Sequence, residues 1–171
     1  MTHIAEISDI RVLGRPIGKV AEEKLDAFVT EAEHLFIKPV LGDELFFKLL
    51  SDDAADDASL QLLLDGGQYT DERGVLHGFM GLKVTLSYFV YAQNIMSGDI
   101  ESTRFGAVIK NGEYSTHASS KERSDAYNNA LEVARAYLQE CVAYCKHVGL
   151  IKRAGKSRHA IGGITIRRIG K

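Results

Sequence analysis

Apolar residues recur at spacings of three and four along most of this 171-residue chain, and that period predicts amphipathic helices. The predicted helices cover about 19–37, 43–50, 59–65, 73 or 75 to 96, and 120–147. We therefore expect a mainly α fold, a helical bundle of about four to five helices. Residues 1–17 hold only a few spaced apolar side chains, so we expect them to form a partly ordered arm.

Residues that favour helix ends separate these segments. Pro39 is expected to end or kink the first helix, and Asp43 is expected to cap the start of the second. The acidic run 52–57 lacks the spacing and the glycine of an EF-hand, so we interpret it as a solvated loop that caps the third helix. Glycines follow the third helix, and Gly149 follows the longest one.

The fourth segment is apolar around its whole circumference. A helix of that kind lies at the centre of its domain or between subunits. Gly74, Gly78 and Gly81 would lie along one side of it, where they would allow close packing against the first helix. His77 would lie on the same helix as a core or interface residue and not as a catalytic base.

Between the last two helices the sequence changes to residues that favour β-strands. Phe105–Lys110 and Glu113–Thr116 flank the dipeptide Asn111–Gly112, which is the strongest short-range signal for a hairpin turn. We predict a β-hairpin at about 105–116. Because an isolated two-stranded hairpin is only marginally stable in water, it needs a further surface. That surface is either the C-terminal strand of the same chain or a neighbouring subunit.

The C-terminal residues 150–171 form a basic tail after a helical domain that spans residues 1–149. No acidic residue follows Glu140, and the last 26 residues carry eight Lys or Arg, although the whole chain has a net charge of −2. The sequence ITIRRI, residues 164–169, favours a C-terminal strand. Such a tail suits either a nucleic acid or the acidic body of a neighbouring copy.

Catalytic patterns are not evident in the sequence. The histidines are scattered, and AGKS at 154–157 lacks the earlier glycine of a phosphate-binding loop. Cys141 and Cys145 share one helix face and are expected to be packed thiols, because a zinc site with His147 would lack a second ligand pair. We expect a protein that is not an enzyme and uses no cofactor and no metal.

Targeting and membrane signals are also not evident. The first residues lack the basic and apolar regions of a secretory signal. The most apolar window, 75–96, contains His77, Lys83, Gln93 and Asn94, which argue against a membrane span. We expect no membrane contact and a reducing compartment.

Several phrases together resemble those of a known family. In chain order they are EISDI, EAEHLFIKPVLGDELFFKLL, LLLDGGQYTDERG, GLKVTLSYFVYAQNI, TRFGAVIKNGEYS and YNNALEVARAYLQECVAYC. From about Ile7 to Cys145 the chain resembles the small helical head–tail connector (adaptor) proteins of long-tailed phages, especially those encoded by prophages of Bacteroides-type bacteria. The resemblance implies a helical protomer that forms a ring beneath the portal, with DNA passing through the lumen without sequence readout.

The resemblance and the residue patterns lead to one expected function and one alternative. We expect a structural virion-assembly protein that binds itself, portal proteins and tail proteins, located in the virion and, before assembly, in the cytoplasm of the bacterial host. The alternative is a nucleic-acid-binding module that uses the basic tail. The candidate interaction residues are Phe105, Val108, Lys110, Asn111, Gly112, Tyr114, Ile164, Ile166, Arg167 and Arg168.

Overall fold

A computed structural model of the protein describes residues 3–18, 20–97, 100–103, 106–109 and 118–151. It confirms the predicted fold class, because the chain is mainly helical and carries antiparallel β-hairpins. The helices are α1 (Ile7–Leu13), α2 (Glu22–Ala32), α3 (Lys38–Leu41), α4 (Asp43–Leu49), α5 (Ala58–Asp65), α6 (Gly81–Ser97) and α7 (Ser120–His147). The strands are β1 (Gly67–Thr70), β2 (Leu76–Phe79), β3 (Ile100–Thr103) and β4 (Gly106–Ile109).

The N-terminal residues are better ordered than the sequence predicted. α1 occupies part of the expected arm and packs against α6, with Ile10 fully buried. Before α1, the Ile4 N–H donates to one carboxylate oxygen of Glu33 over 2.7 Å, and His3 Nδ1 lies 2.9 Å from the other oxygen. The prediction of a partly ordered arm missed α1 because seven residues are too few to show a helical period.

Pro39 was predicted to end or kink the first helix, and it does not end that helix but lies inside it. α2 passes into a π-helical turn, Glu33–Ile37, and then into α3, which ends at Leu41. In the π turn the Lys38 N–H donates to the carbonyl of Glu33, five residues back. A proline offers no N–H and crowds the carbonyl four residues before it, so a widened turn directly before Pro39 relieves both problems. Gly42, with φ of 83°, ends the helix instead.

The next two helices lie close to their predicted positions. Asp43 is the first residue of α4 and not its cap, and its carboxylate lies 3.6 Å from Lys38 Nζ. The loop before α5 does cap that helix, as predicted. Asp57 Oδ1 accepts hydrogen bonds from the N–H groups of Ser59 and Leu60 at 3.0 and 3.3 Å. These bonds satisfy backbone donors that the first turn of a helix leaves free.

A hairpin that the sequence did not predict follows α5. β1 pairs with β2 in antiparallel register, with Tyr69 opposite His77 and Gly67 opposite Phe79. The predicted fourth helix therefore begins only at Gly81, and His77 lies on a strand and not on a helix. The error arose because only Met80 separates β2 from α6, so the change of period from strand to helix is not visible in the sequence.

The glycines of this region do not pack against the first helix, so that expectation was wrong. Gly74 lies in the hairpin turn and Gly78 in β2. Gly81 and Gly66 both have φ of 82°, and they meet at the base of the hairpin. A Cβ atom on Gly66 would lie 2.5 Å from the carbonyl carbon of Met80, so only glycine fits this crossing.

α6 forms the centre of the fold, as the pattern predicted. It packs against α1, α2, α5 and α7, and the longest contact is with α7. Leu82, Leu86, Phe89 and Val90 are fully buried. The ring of Phe36, from the π-helical turn, stacks on Phe89 with a centroid distance of 4.5 Å. The buried side chains of the surrounding helices join this row in one core.

α7 has the bounds that the sequence predicted, because both of its ends carry local signals. Ser119 and Glu122 form a capping box at its start. At its end Gly149 has φ of 78°, and the Leu150 N–H donates to the Cys145 carbonyl over 2.9 Å. That bond reaches back five residues and is the Schellman pattern that ends many helices.

The connection between α6 and α7 contains a hairpin, as predicted, but with a strand pair that the sequence did not indicate. β4 falls within the first predicted strand, and its partner is β3, with Glu101 opposite Val108. The predicted turn Asn111–Gly112 and the predicted second strand 113–116 lie outside the described residues. The predicted C-terminal strand, 164–169, also lies outside them.

Candidate interaction surfaces

The sequence-predicted interaction residues are mostly not described by the structure. Val108 lies in β4, opposite Glu101 of β3. The other nine residues lie outside the described ranges: Phe105, Lys110, Asn111, Gly112, Tyr114, Ile164, Ile166, Arg167 and Arg168. The described residues instead present three surfaces: the β1–β2 hairpin, a cleft at its turn, and a groove between α3 and α7.

The β1–β2 hairpin packs against the last turns of α7 through aromatic rings. His77 and His147 each stack on Tyr69, with centroid distances of 5.2 and 4.8 Å. Phe79 stacks on Tyr144 at 4.7 Å. Burial raises the pKa of the Tyr69 hydroxyl, and the nearby carboxylates of Asp71 and Glu140 raise it further. The rings fix the hairpin to the helix, so it forms a rigid ribbon on the surface.

The turn of this hairpin is organised by Asp71. Its Oδ1 accepts hydrogen bonds from the N–H groups of Arg73 and Val75, both at 2.9 Å. Its Oδ2 lies 3.2 Å from His77 Nε2. The bond from Val75, followed by the one with His77, lowers the pKa of the Asp71 carboxyl. The sequence TDERG contains a turn signal, because an Asp followed three residues later by Gly favours a turn.

A cleft of about 410 Å³ lies between this turn and the end of α7. Asp71, Arg73, His77, Lys146 and His147 contribute to its lining. Both signs of charge meet there, so the cleft does not select a cation or an anion by charge alone. His77 already pairs with Asp71, so its imidazole is held by a carboxylate.

A groove of about 410 Å³ separates α7 from α3, and Lys146 lines both this groove and the cleft. Val40, Leu138 and Val142 give it a mostly apolar lining, and Arg135 and Lys146 add positive charge. Val40 is 44% exposed and Phe47, on the adjoining α4, is 55% exposed. Exposed apolar side chains beside an apolar groove are typical of a protein–protein contact. The residues come from distant parts of the chain, so the sequence pattern could not bring them together.

The two cysteines are packed thiols, as predicted. Both are buried and free, and Cys141 Sγ lies 3.8 Å from Thr85 Oγ1. Burial raises the pKa of the Cys141 thiol to about 11 and that of Cys145 to about 12. Within the described ranges, no three His, Cys, Asp or Glu side chains come together as metal ligands. None of the helices described here is long and apolar enough to cross a membrane.

The described residues form a small, mainly helical fold with two short hairpins and exposed apolar side chains. The chain belongs to a protein family of unknown function, DUF6712, whose model matches residues 37–148. This match includes both hairpins, the groove between α3 and α7, and the whole of α7. No curated protein and no solved structure matches the chain.

Proposed function

We propose that the protein is a structural subunit of a phage or prophage virion, a head–tail connector that is not an enzyme. It acts by forming a ring with its own copies and by docking between portal and tail proteins. The sequence resemblance supports the class of protein, and the exposed surfaces described above support an assembly role. The mechanism depends on shape, because the rigid helical body holds its projecting elements in position against neighbouring proteins.

One observation carries the proposal, namely the β3–β4 hairpin between α6 and α7. Two antiparallel helices need a connection of only about two to eight residues, yet this connection extends over residues 98–119. Among the described residues, β3 and β4 pair with each other and make few contacts with any helix. A two-stranded hairpin without a packing surface is only marginally stable. A neighbouring protein would supply that surface.

The groove between α3 and α7 supplies a second and different surface. It is apolar with positive side chains, whereas the hairpin offers backbone groups along its strand edges. Contacts between two different patches of identical subunits are head-to-tail, and they close into a ring when the rotation between subunits allows it. The two surfaces thus suit a ring better than a two-fold dimer.

The test replaces residues 100–117 with a short Gly/Ser linker. We expect an unchanged helical circular dichroism signal, because the core lies elsewhere, and a loss of oligomers by light scattering. The measurement is made on the protein alone and with a portal protein encoded beside it. Val12→Ser is the control, since Val12 is 80% exposed on α1, outside the hairpin. If the variant forms the same oligomers as the wild type, the β3–β4 hairpin is not part of the interface.

The genome context tests the class of protein independently of any interface. A connector is encoded among the other virion genes, so portal, capsid or tail genes should lie beside this one. A setting among metabolic genes, with none of these neighbours, would contradict the proposal.

A further inference from the structure

The β1 strand has a free edge in the part of the chain that the structure describes. The Asp71 N–H donates to the Val75 carbonyl over 2.9 Å, so this pair is hydrogen-bonded. Bonded pairs alternate along an antiparallel ladder, so Tyr69 and Gly67 bond to β2 while Gln68 and Thr70 point their backbone groups away from it. No other described strand continues this sheet beyond β1.

This edge lacks the features that keep edge strands from pairing. Charged side chains and prolines usually protect an edge, and β1 contains neither in its sequence GQYT. β1 touches α7 through the ring of Tyr69, and its backbone pairs with β2 on one side. Gln68 and Thr70, whose backbone groups point away from β2, are both exposed. The rigid hairpin thus offers a prepared site for one more strand.

The chain beyond Ile151 is long enough for a segment whose sequence favours a strand to reach this edge. His147 stacks on Tyr69 of β1, and the chain continues from there to Ile151, whose N–H donates to the Cys145 carbonyl. Residues 152–163 separate Ile151 from the segment ITIRRI, and they span up to about 40 Å when extended. We propose that residues 164–169 of the same chain bind along β1 as a third strand.

Two features favour this occupant. Its β-branched residues Ile164, Thr165 and Ile166 suit a strand, and Arg167 and Arg168 follow them. A tethered segment acts at an effective concentration of the order of millimolar, which favours the chain's own tail over that of a dilute second copy.

The experiment measures amide hydrogen exchange by NMR on the full-length protein at a concentration where it is monomeric. In the wild type, the amides of Gln68 and Thr70 should exchange at least about tenfold more slowly than in Ile166→Pro, because proline removes a strand donor. The Tyr69 amide bonds to β2 and serves as the internal reference. Ser157→Pro, in the linker, is the matched control and should keep the protection.

Three outcomes would overturn the proposal. The first is fast exchange of Gln68 and Thr70 in the wild type. The second is a loss of protection in β4 instead of β1 when Ile166 is replaced, which would identify the other hairpin as the docking site. The third is protection of isotope-labelled Ile166→Pro protein by excess unlabelled wild type, which would assign the strand to a second copy. The inference concerns a monomer, so the result of this experiment does not depend on whether the protein forms a ring.

Discussion

At the residue scale, a few polar side chains fix the N-terminal segment to the helical body. Glu33 is 2% exposed and holds both Ile4 and His3, while His3 Nε2 also lies 3.1 Å from Asp26. After α1, the Arg15 guanidinium lies 5.6 Å from the ring centre of Tyr88. These contacts explain why residues outside the family match still belong to the same core.

Substitution of Glu33 should show how much the buried carboxylate contributes. Glu33→Ala leaves the buried Ile4 N–H without an acceptor, and we expect the free energy of unfolding to fall by about 1–3 kcal/mol. Urea denaturation measures the change. Glu33→Gln keeps a carbonyl oxygen at the same place and should cost less. Equal losses for the two variants would show that the hydrogen bond to Ile4 is not the cause.

The thiols should be unreactive in the folded protein. With the pKa of Cys141 raised to about 11, only about 0.1% of this thiol is ionised at pH 8, and Cys145, with a pKa of about 12, is ionised still less. We expect no reaction with a disulfide reagent at pH 8 and two reacting thiols per chain after unfolding in guanidinium. Rapid labelling of the native protein would mean that the contact between α6 and α7 opens readily.

At the element scale, the base of the β1–β2 hairpin depends on two glycines that face each other. Gly66→Ala adds a collision with the Met80 carbonyl carbon to the strain of a positive φ, so we expect a loss of about 2–5 kcal/mol. Gly74→Ala is the control, because Gly74 has φ of 80° with no atom within 4 Å of the added carbon, and it should cost only about 1–2 kcal/mol. Thermal unfolding of both variants measures the difference.

The helices that the sequence predicted correctly have capping residues next to their own ends. α5 has Asp57 at its start, and α7 has Ser119 and Glu122. The β1–β2 hairpin was missed because its second strand leads into α6 with a single residue, Met80, between them. The groove between α3 and α7 was missed for another reason, since Val40 and Leu138 meet only in the folded chain.

At the scale of the whole molecule, the charge is divided between the body and the tail. Residues 1–145 hold 21 − 8 = 13 basic and 23 acidic residues, a balance of −10, while the remaining residues carry only basic charge. An acidic body repels DNA, whereas the tail attracts phosphate groups. In the proposed connector, DNA that passes through the lumen needs contacts that are weak and independent of sequence.

We therefore expect the full chain to retard duplex DNA only weakly in a gel, with no sequence preference. Replacing the seven Lys and Arg of residues 152–171 with Gln should abolish the retardation. Binding that depends on a few phosphate contacts should be lost between about 50 and 200 mM salt. Tight binding to one sequence at the higher salt concentration would favour the alternative, a nucleic-acid-binding module.

The central position of α6 also has a consequence for synthesis on the ribosome. α6 ends at Ser97, but α7, which covers much of it, is complete only at His147. At about 5–20 residues per second, the apolar face of α6 stays uncovered for roughly 3–10 s while the intervening chain is made. Chains that stop within this interval expose that face to other nascent chains, so chaperone binding should concentrate on products that end between β4 and the middle of α7.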